Sequence, residues 1–172
     1  MTVYTTVDSP LGELLLVGEE SPSAAGGVAL ASLSMPEQKG AAVVREGWRR
    51  APDAFAEVTR QLNAYFDGTL TRFTLTCTEQ GTDFQRKVWA ALEGVPYGTT
   101  TSYGELADRA GIARAAVRAL GTAIGANPLL LVRPCHRVIG ADGSLTGYAA
   151  GLERKRQLLA HEGARAVPAG RA

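Results

Sequence analysis

At 172 residues, 45% of them hydrophobic and 20% charged, the chain has the size of one ordinary domain or two small ones and a globular composition, which excludes a large multidomain machine and a disordered, collagen-like or coiled-coil protein. The net charge of +1 hides an asymmetry: residues 1–79 carry 6 Lys and Arg against 10 Asp and Glu (net −4), and residues 80–172 carry 12 against 7 (net +5). No run approaches the roughly 20 apolar residues of a membrane span, and the opening MTVYTTVDSP lacks the basic and apolar regions of a signal peptide, so a cytoplasmic protein without a membrane partner is expected. Two cysteines and two histidines are too few for a disulfide framework or a zinc site, and no metal is expected. The basic half reads either as a module facing a polyanion or as a solvated helical surface.

In chain order, Val3 to Val7 and Glu13 to Val17 read as strands joined by the turn Asp8-Ser9-Pro10-Leu11-Gly12. After the Ser/Gly-rich stretch Ser21 to Gly27, Val28 to Ser34 alternates apolar and small polar residues as a third strand. Asp53 offers an N-cap, and Phe55, Val58, Leu62, Tyr65 and Phe66 fall on one helical face before Asp67-Gly68. Leu70 to Cys77 predicts a further strand, and Cys77 reads as a small buried hydrophobe. The overall expectation is an α+β protein: a small N-terminal α/β domain over 1–77, a mostly helical C-terminal domain over 81–163, and a flexible tail over 164–172.

The second half is well punctuated. Thr82 with Gln85 forms a capping box opening a helix with Phe84, Val88 and Leu92 on one face, and Pro96-Tyr97-Gly98 turns the chain. Ser102 with Glu105 repeats the box for a short helix ending at Gly111, and an alanine-rich helix follows from about Ala113 to Ala126, ended by Asn127-Pro128. Two short helices around a tight turn, the second carrying Arg114 and Arg118, fit a helix-turn-helix or an ordinary helical hairpin. Leu129 to Val132 is short and apolar enough for a buried strand delivering Pro134-Cys135-His136-Arg137-Val138. Asp142-Gly143 is a hairpin-turn dipeptide followed by a second short strand. Leu152, Leu158 and Leu159 pattern a final helix that stops at Glu162-Gly163.

Cys135 is the residue with chemistry to offer. A cysteine in water is only slightly ionised at neutral pH, so a nucleophilic one needs a base or positive surroundings. His136 supplies a base, and Arg133 and Arg137 raise the local potential. Neighbouring side chains on a strand face opposite ways, so a water is expected to bridge Cys135 and His136. Glu162, in the last helical turn where the dipole disfavours an anion, is the carboxylate to orient the imidazole. On residue chemistry alone, Pro-Cys-His is either structural or catalytic.

The motifs Pro134-Cys135-His136-Arg137-Val138, Gly81-Thr82-Asp83-Phe84-Gln85 with Val88-Trp89, Val95-Pro96-Tyr97-Gly98, Thr101-Ser102-Tyr103-Gly104-Glu105-Leu106-Ala107, Asn127-Pro128 and Thr146-Gly147-Tyr148 agree in order and spacing with one family. Over residues 81–163 the chain resembles the O6-alkylguanine-DNA alkyltransferases; the N-terminal half is similar mainly at Ser9-Pro10-Leu11-Gly12 and at Gln61-Leu62-Asn63-Ala64-Tyr65-Phe66. The resemblance implies a single-turnover protein that flips a damaged base out of double-stranded DNA and takes its alkyl group onto Cys135, without a cofactor. It implies a relay of Cys135, water, His136 and Glu162, with Asn127 holding the turn before the nucleophile. Tyr148, Ala149, Val138 and Tyr103 would line the base pocket. A recognition helix with Ala115, Ala116, Ala119, Gly121 and Ala123 as its small-residue surface would enter the minor groove. Arg118, nine positions before Asn127, would replace the flipped base, Tyr103 would crowd the phosphate, and Arg114 and Arg137 would add DNA contacts.

The chain departs from that pattern in several places. One extra residue lies between Gly111 and Arg118, and the usual proline opening the recognition helix is absent, which makes Arg114 an alternative lever. Arg133 stands where an apolar residue is usual, and Ala150 where a glycine is. A lesion-binding module, an alkylation-sensing regulator and a Cys-His hydrolase are the competing readings; the last lacks any sign of an oxyanion hole. A monomer is expected, with cooperativity along DNA left open.

Overall fold

A computed structural model describes residues 1–164; the expected tail lies outside the described residues, apart from Ala164. The chain divides into two compact units, Met1–Glu79 and Gln80–Ala172. Among the described residues no helix is long and apolar enough to cross a membrane.

The first unit is a four-stranded sheet in the order β3-β2-β1-β4 with one helix. Strands β1 (Thr2–Ser9) and β2 (Gly12–Glu20) form the expected hairpin, paired from Thr2↔Glu19 to Ser9↔Gly12. Its turn is closed by the Ser9 hydroxyl, which donates to the Gly12 carbonyl at 2.7 Å and accepts from Leu11 N at 3.1 Å. Strand β3 (Val28–Ser34) pairs with β2 through a bulge at Val17/Gly18. A Cβ on Gly18 would lie 2.6 Å from the Val28 side chain and 2.8 Å from the Ala29 carbonyl oxygen, so only glycine fits there. The two-residue β4 (Arg49–Arg50), parallel to β1, has no sequence pattern that announces it.

Two expectations fail in this unit for local reasons. Asp53 does not cap the helix: a 3-10 turn, Pro52–Phe55, leads into α1 (Ala56–Phe66), which has no side-chain cap. Leu70 to Cys77 is not a strand. The buried Gln61 side chain donates to the Thr74 carbonyl at 3.1 Å and accepts from Thr74 N at 2.9 Å, which takes both backbone groups of Thr74 out of any ladder. Only an isolated bridge, Leu30↔Cys77, touches the sheet.

The second unit holds α2 (Asp83–Glu93), α3 (Tyr103–Ala110), α4 (Val117–Gly125), α5 (Leu152–His161) and a parallel pair of short strands, β5 (Thr101–Ser102) and β6 (Val138–Ile139). Both capping boxes form as the spacing predicts, at Thr82/Gln85 and Ser102/Glu105. Helix α3 stops at Gly111 in the left-handed region (φ 69°), and a 3-10 turn, Arg114–Ala116, precedes α4, so the alanine-rich helix is shorter than expected. Leu129 to Val132 is a buried turn, with Leu131 at φ 73°, and not a strand. The segment before Tyr148 also carries no strand, and Leu152 is 42% exposed where a core position was expected.

Candidate active site

Asn127 builds the turn that carries the nucleophile. Its side chain accepts from Leu129 N at 3.0 Å and donates to the Leu129 and Arg133 carbonyls at 3.4 and 3.1 Å, replacing the ladder a strand would have supplied. The chain then enters a 3-10 turn, Cys135–Arg137, that runs into β6. Cys135 is therefore beside a strand and not in one. Successive side chains on a 3-10 turn are about 120° apart, so Cys135 (4% exposed) and His136 (0%) both project into the interior.

Burial pushes the Cys135 thiol up to about 11, against the opposing pull of an Asn127 hydrogen bond and the Lys155 charge. Burial also lowers the pKa of His136, although Glu162 opposes the shift. The resting site therefore holds a neutral thiol beside a neutral imidazole. His136 Nε2 lies 2.8 Å from Glu162 Oε2, and a carboxylate only accepts, so Nε2 carries the hydrogen and Nδ1 the lone pair. Nδ1 is buried with no hydrogen-bond partner among the described residues. No hydrogen bond joins Cys135 directly to His136 among the described residues.

Glu162 is buried in spite of its place at the end of α5, and its position depends on Arg137. The guanidinium Nε and Nη2 donate to the two carboxylate oxygens at 2.8 and 3.0 Å, and Nη1 donates to the Val95 carbonyl at 2.7 Å. Tyr97 lies under the same guanidinium at 5.6 Å, and Gly98 (φ 79°) brings backbone close to the Glu162 carbonyl, so the Pro96-Tyr97-Gly98 turn is the floor of this ion pair. The expectation that Arg137 contacts DNA is corrected here: at 7% exposure it is committed to Glu162 and Val95.

Lys155 is the residue sequence reasoning missed. It is 1% exposed, and its ammonium donates to the carbonyls of Val138 at 2.6 Å, Thr146 at 2.9 Å and Gly147 at 3.4 Å. Burial lowers its pKa to about 8. The signal was present: Lys155 occupies the helical stripe shared with Leu158 and Leu159, where an apolar residue belongs. By joining the strand after Cys135 to the Thr146-Gly147 loop, it fixes the loop that presents Tyr148 and Ala149, both half-buried. Val138 is fully buried, and the half-buried Tyr103 shares a 2.7 Å hydrogen bond with Thr146.

On the helix expected to face DNA, Arg118, Ala115 and Ala119 are exposed, whereas Ala123 is 3% exposed and turns inward, its carbonyl accepting from the Trp89 indole at 2.9 Å. Arg114 is held by Asp108 through bonds of 3.2 and 2.9 Å, and its guanidinium lies over Gly104, where a Cβ would come within 2.8 Å of Nη1. Arg118 has no ion pair among the described residues. Part of the basic excess of this half is internal, since Arg133, Arg137 and Lys155 are all buried. Among the described residues no group of three or more metal-binding side chains occurs.

Comparisons with known proteins bear on both halves. Residues 2–78 match the model for the 6-O-methylguanine DNA methyltransferase ribonuclease-like domain, and residues 83–164 match that for the DNA-binding domain of the same family. A methylated-DNA–protein-cysteine methyltransferase of Mycolicibacterium paratuberculosis is 49% identical over 162 residues, covering 94% of this chain and 93% of that protein. One from Methanosarcina acetivorans is 42% identical over 160 residues, covering 93% and 97%. A crystal structure of Mycobacterium tuberculosis OGT in complex with DNA superposes with a TM-score of 0.83 at 48% identity, covering 97% of this chain and 96% of that one.

Proposed function

The chain belongs to the 6-O-methylguanine DNA methyltransferase family, and on that premise we propose that it repairs DNA by moving the alkyl group of an O6-alkylguanine irreversibly onto its own Cys135. The observation that carries the reading is the buried Cys135 thiol next to an imidazole fixed at 2.8 Å on a carboxylate. The partner is double-stranded DNA, a reading supported by the mycobacterial relative's structure in complex with DNA. A base inside the duplex is out of reach, so the lesion must be rotated out of the stack, at a cost of about a few kcal/mol that a badly paired base reduces. Arg118, exposed on α4, is the side chain that fills the gap, and Tyr103 crowds the phosphate.

The flipped base lies against Val138, Tyr148 and Ala149. Cys135 Sγ attacks the alkyl carbon in line with the C–O bond. The S–C bond forms, the C–O bond breaks, and guanine departs with the electron pair. The thiol proton passes through a water to His136 Nδ1, the departing guanine anion takes up one proton from solvent, and His136 afterwards returns its proton to solvent, so charge balances and no cofactor enters. Burial selects this order of events: at a pKa of about 11 only about one thiol in 10⁴ is ionised at neutral pH, so the proton leaves as the sulfur attacks. Glu162 stabilises the imidazolium that forms. A thioether is not hydrolysed under these conditions, so each molecule reacts once.

Two expected results follow from the geometry. With saturating DNA, the single-turnover transfer rate is level from about pH 7 to about pH 8, where Lys155 begins to lose its proton, and falls on acidification, as His136 takes up a proton below its ordinary value. A rate that climbs about tenfold per pH unit across that range would mean that a pre-formed thiolate reacts. Second, Arg118→Ala slows transfer from a duplex by about 30-fold, the equivalent of about 2 kcal/mol of flipping cost, and leaves transfer from a single-stranded oligonucleotide unchanged. Arg114→Ala changes duplex transfer by no more than about threefold, because that side chain is already held by Asp108. Reversed sizes would make Arg114 the lever.

The direct test of the reading is intact-protein mass spectrometry after mixing with a duplex containing one O6-methylguanine, followed by peptide mapping. The expected result is a gain of one methyl group on Cys135, saturating at one per molecule. Binding without a mass change would leave a lesion-binding module.

A further inference from the structure

Arg133 holds two sets of contacts that point in opposite directions. Its backbone is part of the nucleophile's turn: the Arg133 carbonyl accepts from Cys135 N at 2.7 Å and from Asn127 Nδ2 at 3.1 Å. Its side chain, in a residue only 9% exposed, leaves that turn for helix α2. There Nε donates to Glu93 at 3.1 Å, and the guanidinium carbon lies 4.8 Å from the centre of the Trp89 ring. Trp89 in turn donates its indole N–H to the Ala123 carbonyl on α4, the helix that carries Arg118. Room for the indole is made by Gly81, where a Cβ would meet the ring at 2.6 Å.

We propose that Arg133 is a positioning residue, a strut that ties the turn carrying Cys135 to the DNA-facing helix α4 through Trp89; this role rests on the alkyl-transfer reading above. Space filling does not account for an arginine here, since an aliphatic residue would fill the site without burying a charge. Arg133 Nη1 is buried with no partner among the described residues, a cost the apolar residue would avoid. What the guanidinium adds is direction. A planar cation stacked on an indole and held at its edge by a carboxylate has one orientation, and it fixes the backbone two residues before the nucleophile. Contact between α4 and DNA thereby bears on the placement of the sulfur, and a small misplacement of a reacting atom is costly in rate.

The test compares two methyl donors: a duplex with one O6-methylguanine, which engages α4, and the nucleoside O6-methyl-2′-deoxyguanosine, which does not. Arg133→Met is expected to slow transfer from the duplex about tenfold and transfer from the nucleoside by several-fold less, because only the duplex also engages α4. Trp89→Phe removes the bond to Ala123 and is expected to show the same split, and Arg133→Lys, which keeps the charge for Glu93, to recover part of the duplex rate. The two milder variants decide the matter if Arg133→Met fails to fold. Equal losses on both donors, or no loss on either, would overturn the strut. A wild-type protein that accepts no methyl group from either donor would overturn the alkyl-transfer reading, and the strut with it.

Discussion

A Cys135→Ala variant binds a duplex containing O6-methylguanine and takes up no methyl group. The loss is complete, because alanine offers no atom that can attack carbon in the place of the Cys135 sulfur. Binding survives because the side chains expected to meet DNA sit on α3 and α4, and Cys135 contributes none of their contacts. The fold survives as well, since the turn is held by Asn127 on backbone atoms and Ala fits the space of a small buried hydrophobe. Cys135→Ser is the sharper control: a hydroxyl in the same place is a far weaker nucleophile, and it is expected to be equally inert. The measurement is methyl uptake by mass spectrometry alongside a binding titration of the same sample. Stoichiometric uptake by either variant would remove Cys135 from the mechanism.

Glu162→Ala is the substitution with the largest expected effect on stability. It leaves the Arg137 guanidinium buried without its counter-charge and His136 Nε2 without an acceptor, the situation in which breaking a buried pair costs about 3–5 kcal/mol. For a unit of this size that is a fall in Tm of more than about 10 °C. Removing both charges separates folding from chemistry. The double variant Arg137→Met/Glu162→Leu is expected to regain most of the lost stability, because neither charge then remains buried alone. Its transfer rate stays about 10²-fold below wild type, because the imidazole has lost the group that fixes its tautomer and stabilises its charged form. A Glu162→Ala variant that melts with wild type, or a double variant that transfers at the full rate, would contradict the pairing described here.

Much of this was legible in the sequence where local rules act alone. The hairpin, the two capping boxes and the Gly111 stop are set by residues within a few positions of one another, and short-range chemistry decides them. The failures share a different cause. At Leu129 to Val132 an apolar run and at Leu70 to Cys77 an alternation of apolar and polar residues fit a strand, but a single amide side chain, Asn127 or Gln61, takes backbone groups there. Whether such a side chain points at the run depends on tertiary placement, which spacing does not encode. The buried pair His136 and Glu162 could be nominated because the motif and the helix end single them out, whereas the inward turn of Arg137 could not, since an arginine next to a cysteine reads equally well as facing an anion. Lys155 is a different case: its place on the apolar stripe of α5 is legible, but a lysine is ordinarily exposed, and its burial depends on three carbonyls that only the fold brings together.

The depth of the Cys135 thiol has a consequence for the life of the molecule between synthesis and use. A protein that can act only once must persist unreacted among peroxides, disulfides and small electrophiles, all of which are consumed by thiolates. A sulfur 4% exposed and kept protonated up to about pH 11 presents almost none of the reactive form to them. The same burial that obliges the site to remove the proton during attack thus gives the resting protein a long shelf life, and reserves its single reaction for a carbon that has been brought inside the pocket.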